Sequence, residues 1–99
     1  MTIVITDEER LQLVKKAIGY QSNYQDDTIK FYIDEAINFL IDGGVNENIA
    51  KSKEAVGAIV MYINDTWNYS SGSVVYSDAL TKRVIQLASK KYKGDDQDV

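Results

Sequence analysis

The chain has 99 residues, 44% of them hydrophobic and 26% charged, with a formal net charge of -4. That is ordinary globular material for one domain, which buries roughly two-thirds of its unfolded surface. The chain contains no cysteine and no histidine. Their absence excludes disulfides and thiolate metal sites, removes the commonest general base and zinc ligand, and points away from an enzyme and from any cofactor.

The opening stretch, MTIVITDEER, has too few apolar residues before its acids for a secretory signal or a membrane span. A soluble chain made inside the cell, with no membrane partner, is expected. TIVIT alternates like a strand, but one short strand without a partner makes no sheet. It is an arm that either packs on its own bundle or docks on another chain.

The first helix is announced by Thr6, a cap to which Glu9 reaches back, and by Asp7 and Glu8 at its positive start. Leu11, Val14 and Ile18 recur at helical spacing, and Gly19 is the stop. The second helix starts at Asp26 or Asp27. Its stripe is Ile29, Ile33, Ala36, Ile37 and Leu40, widened by Tyr32 and Ile41, and Gly43 and Gly44 end it. Asn46 caps a third and longest helix with Ile49, Val56, Ile59, Val60, Ile63 and Trp67 on one face. Ile63 and Trp67 are expected to be buried against the second and fourth helices. Gly57 within that helix predicts close packing on a neighbour in preference to a hinge. After the break NYSSGSVVYS, Ser77 caps a fourth helix with Leu80, Val84, Leu87 and Ala88 as its stripe, fraying after Tyr92. The expected fold is all-α: a small four-helix bundle with a long loop between helices three and four. Residues 1–93 form one domain and 94–99, GDDQDV, an acidic flexible tail.

The carboxylates Asp26, Asp27, Asp34 and Glu35 are expected to be solvated surface and helix-start charge, with no metal site. GDDQD at 94–98 lacks the closing glutamate of a calcium loop, and GSVVYS lacks the lysine and glycines of a phosphate loop. Tyr32 and Tyr62 belong to the core margin. Tyr20, Tyr24, Tyr69 and Tyr76 fall in the two connections, where they either fold back on the bundle or form contact loops. Charge is uneven: residues 1–50 hold nine acids against four bases, whereas Ala79 to Lys93 hold five bases and no acid. Lys82, Arg83, Lys90, Lys91 and Lys93 therefore mark either a solvated helix end or a contact with an acidic protein. A nucleic-acid reader is disfavoured by net acidity and by a helix start that carries Ser77, Asp78 and Ala79.

The segment LVKKAIGYQSNYQDDTIKFYIDEAINFLIDGG resembles the head-tail connector, or adaptor, family of tailed bacteriophages. That family has a short helix ending in leucine or isoleucine, a loop closing in DD, and a helix with an I…YI..A..FI rhythm. Ile18, Asp26, Asp27, Ile29, Ile33, Ala36 and Ile37 match it. The later AVGAIVMYINDTWNYSSGSVVYSDALTKRVIQLA is similar too, with a helix ending in an aromatic, a serine-rich loop, and a last helix rising through Arg83 to Leu87. The resemblance spans roughly residues 6–91.

The resemblance implies a helical protomer in a ring, expected to be twelvefold, beneath the portal protein of the virion and monomeric in isolation if no template is present. The ring joins capsid to tail, meets a stopper or tail-completion protein below, and extends a channel through which DNA passes without specific binding. It implies portal contacts at Lys82, Arg83, Lys90, Lys91 and Tyr92, and inter-subunit loop contacts at Tyr20, Tyr24, Tyr69, Val74, Val75 and Tyr76. Because Val99 is the only apolar residue of the acidic tail, the portal contact is expected on the last helix. The alternative is a small helical regulator that binds DNA or a host protein.

Overall fold

The Thr6 and Glu9 spacing closes a capping box. In the computed structural model, which describes residues 3–67 and 76–90, the Thr6 hydroxyl accepts from the Glu9 amide at 3.1 Å and the Glu9 carboxylate accepts from the Thr6 amide at 3.3 Å. Helix α1 runs from there as Asp7–Ile18 and stops at Gly19, where φ is 80°. Helix α2, Asp26–Asp42, starts with its two aspartates in the first turn and has no side-chain cap. The carboxylates complement the positive end of the helix.

Two consecutive glycines end α2 for different reasons. A Cβ on Gly43 would come within 2.8 Å of Val84 Cγ1, so its absence lets the end of α2 lie against the last helix. Gly44 has φ 100°, in the left-handed region that side chains avoid.

The third helix expected from Asn46 to Trp67 forms in pieces. Asn46 does cap α3, Glu47–Ala50, accepting from the Asn48 amide at 2.8 Å. The helix then halts. The hydroxyl of fully buried Ser52 donates to the Ile49 carbonyl at 2.6 Å, the acceptor that the Lys53 amide would use in a continuing helix. The Lys53 amide goes instead to the Ile3 carbonyl at 2.8 Å, and the Ile5 amide to the Lys51 carbonyl at 3.3 Å. Val4 and Ser52 thus form an isolated antiparallel bridge. The described arm residues pack on their own bundle, and their backbone takes the donor that would have carried the helix on.

A 3-10 turn, Lys53–Ala55, leads into α4, Val56–Trp67. The last helix, α5, is Asp78–Ala88, with the Ser77 hydroxyl accepting from the Leu80 amide at 3.2 Å. Among the described residues the fold is all-α, and α2 with 17 residues is the longest helix. In α4 the expected stripe holds at Ile59 and Ile63, which are buried. Val56 and Val60, expected in the core stripe, are half-buried, whereas Ala55 and Ala58 are fully enclosed. Gly57 is exposed, with open space where a Cβ would stand, so the packing role expected of it is not observed.

Helix α4 sits at the centre, packed on α1, α2 and α5. The core joins Leu11 and Val14 of α1, Ile29, Ile33 and Leu40 of α2, Ile49 of α3, Ile59 and Ile63 of α4, and Leu80 and Leu87 of α5. Each fully buried leucine or isoleucine contributes about 1.5–3 kcal/mol of transfer free energy. Trp67, expected to be buried, is half-buried at the end of α4. Among the described residues no helix is long and apolar enough to cross a membrane.

Candidate functional site

The first connection, residues 19–25, is held from below by Lys15. This lysine is 3% exposed, and its ammonium donates to Asn23 Oδ1 at 2.8 Å. It also lies 2.8 Å from Asp26 Oδ1, an ion pair whose angles are not those of a hydrogen bond. Asp26, expected on a solvated surface, is therefore half-buried against a base, while Asp27, Asp34 and Glu35 do face solvent. The Tyr20 amide donates to the Lys15 carbonyl at 2.8 Å, and the tyrosine turns inward. Its ring meets Trp67 edge-on at 6.3 Å, and Trp67 lies on Tyr32 at 5.2 Å. These ring partners belong to the connection and α2, and the side chain also packs against the core cluster. Ile18, Tyr20, Gln25, Ile63, Asn64 and Trp67 line an open pocket of about 350 Å³. Tyr24 parts from Tyr20 and stands in solvent, 83% exposed.

A second aromatic cluster closes the approach to α5. Phe39, Tyr62 and Tyr76 lie 4.8 to 5.8 Å apart, centre to centre. Tyr76 thus folds back on the bundle. Burial, followed by the nearby Tyr76 phenol, pushes the Tyr62 phenol up to about 12. The Ser77 amide donates to Asp65 Oδ2 at 3.0 Å, which ties the start of α5 to α4. Tyr69, Val74 and Val75, the other expected loop contacts, lie outside the described residues.

The basic residues of α5 divide between two sides. Lys82 is exposed. Arg83 is half-buried, donating to the Glu54 carbonyl at 3.1 Å and to the Gln86 side chain. Lys90 pairs with the Glu54 carboxylate at 2.9 Å. Arg83 and Lys90 are thus brought together over the 3-10 turn, where they fasten α5 to the bundle, and Lys82 stands apart from them. Lys91, Tyr92 and Lys93 lie outside the described residues, as does the acidic stretch 94–99.

Sequence reasoning missed Arg10. This side chain is 2% exposed and donates to the carbonyls of Ile5 at 2.9 Å and Lys51 at 2.7 Å and to Asp7 Oδ1 at 2.7 Å. Arg10 and Lys15 flank the Leu11 and Val14 stripe on its two sides. One fastens the arm before α1, the other the connection after it. A base at each margin of the stripe was the available signal. Among the described residues no group of three or more carboxylates is placed to hold a metal ion.

Compared with family models, with curated proteins and with solved structures, the chain matches none of them.

Proposed function

We propose that the chain is a structural head-tail connector, or adaptor, of a tailed bacteriophage. It forms a ring beneath the portal protein, meets a stopper or tail-completion protein on the other side, and extends the channel for DNA. One observation carries this reading: the family pattern coincides with the architectural points of the first two helices. Ile18 is the last residue of α1, Asp26 and Asp27 open α2, and Ile29, Ile33, Ala36 and Ile37 form its buried face. The net charge of -4 adds support, because a strongly basic lumen would hold the phosphates of passing DNA.

Co-sedimentation with purified portal rings from the same genome tests the proposal. The portal contact is assigned to the C-terminal end of α5 and the residues after it. Lys90→Glu together with Lys91→Glu should weaken attachment and lessen its salt dependence. The fold should survive, because the Lys90 pair with Glu54 is partly exposed and such pairs contribute less than about 1 kcal/mol. Wild-type attachment by that variant at low salt removes the charge-guided contact. Absence of portal binding by the native chain, with tight salt-sensitive binding to arbitrary duplex DNA, replaces the connector with a DNA-binding regulator.

A further inference from the structure

We propose that copies of this chain associate head to tail, the Phe31 face of α2 on one copy seated against the Ile85 and Lys82 face of α5 on the next. The proposal deepens the ring reading above and rests on it. Among the described residues, Phe31 and Ile85 are the two large apolar side chains that stand on helices more than half exposed, at 60% and 65%.

Phe31 is anchored from behind. Its ring meets Tyr32 edge-on at 5.7 Å, and Tyr32 lies against Trp67. Its neighbours three and four residues away are Asp27, Thr28, Asp34 and Glu35, all exposed. Three carboxylates therefore border an exposed ring, and exposed Lys30 stands at the outer edge of this face, beyond Asp27 and Asp34, leaving Glu35 the carboxylate farthest from a base. Such a face is complementary to an apolar side chain accompanied by positive charge.

The outward face of α5 offers that combination. Ile85 has Lys82 one turn before it, exposed on the same side, with Thr81 and Ser89 as the other exposed neighbours at helical spacing. Arg83 and Lys90 are turned toward Glu54. Asp78 is the acid on this face, at the helix start and roughly 10 Å from Ile85 along the axis. Seating Phe31 beside Ile85 brings Lys82 to the carboxylates and leaves Asp78 at the rim.

Charge also selects the symmetry. A two-fold contact of the Phe31 face with itself would set carboxylates against carboxylates, which is disfavoured. Joining two different faces leaves one of each kind open at the ends of every open oligomer, so the assembly propagates, and the ring reading requires a rotation between copies that closes. Two exposed side chains and their charged borders make a small interface. Association of the free chain should accordingly be weak and dependent on concentration.

The lack of cysteine makes the contact directly testable. Full-length Thr28→Cys and Ser89→Cys chains, which keep Phe31 and Ile85, mixed at high concentration and treated with a short bismaleimide, should give a cross-linked dimer about tenfold above either chain alone. Both positions are exposed, so neither change opens the core. A chain carrying both cysteines should give a ladder of higher oligomers. Adding Lys82→Glu to the Ser89→Cys chain should reduce the yield about tenfold, and Glu35→Lys in its Thr28→Cys partner should restore it. Three results overturn the proposal: equal cross-linking by Thr28→Cys alone, a mixture no better than one with cysteine at exposed Gln12, or no rescue by the charge exchange. Portal attachment is read separately. Intact cross-linking with no portal binding would remove the connector reading and leave the contact between copies standing.

Discussion

Gly57 shows how a single position depends on the phase of its helix. The apolar pattern around it suggests a helix interface, but the buried face of α4 is formed by Ala58, Ile59 and Ile63, and the position faces solvent with open space around it. Alanine loses less backbone entropy there. Gly57→Ala should stabilise the chain by about 0.5–1 kcal/mol and raise its melting temperature by a few degrees in calorimetry. A lower melting temperature would mean that α4 needs the freedom of glycine at this point. Tyr62 gives a second test at this scale. Its phenol is raised from 10.0 to about 12, so the folded chain favours the neutral form. The stabilisation is whole below pH 10.0 and is lost as pH rises toward about 12. Urea melts across that window should show Tyr62→Phe declining less steeply than the native chain. Parallel declines would contradict the burial of the phenol.

At the scale of elements, α1 acts as a clip, with Arg10 on the arm and Lys15 on the connection. Arg10→Met keeps the length of the side chain but leaves the Ile5 and Lys51 carbonyls without their charged donor. A loss of about 1–3 kcal/mol is expected, with faster hydrogen exchange at the Ile5 and Lys53 amides, which hold the arm. Unchanged exchange at both amides would show that the clip does not hold the arm. The ends of α1 and α2 and the buried stripe of α2 were legible in the sequence, because caps, glycine stops and apolar spacing act within a few residues. The clip was not. A base beside an apolar stripe reads the same whether it reaches water or a buried carbonyl, and the Lys51 carbonyl lies 41 residues from Arg10 in the chain. The broken third helix was hidden in part for the same reason, since the Ser52 hydroxyl that takes the Ile49 carbonyl is local but the carbonyl that takes the Lys53 amide comes from the arm.

On the scale of the whole molecule, the candidate contact residues sort by whether the chain already uses them. Tyr20 and Tyr76 complete aromatic clusters of the bundle, and Arg83 and Lys90 bind at Glu54. Tyr24 and Lys82 point outward. Composition marks tyrosines in the two connections and bases on α5, but only the packed structure separates the inward tyrosines from the outward one. The bridge between Val4 and Ser52 extends the point. The Lys53 amide has one proton to give, and it can serve the arm or the helix, not both. With residues 3–5 in place, the corner between α3 and α4 is the stable arrangement. That corner and the seating of the arm thus share one hydrogen bond, so whatever loosens the arm also leaves the Lys53 amide without its acceptor.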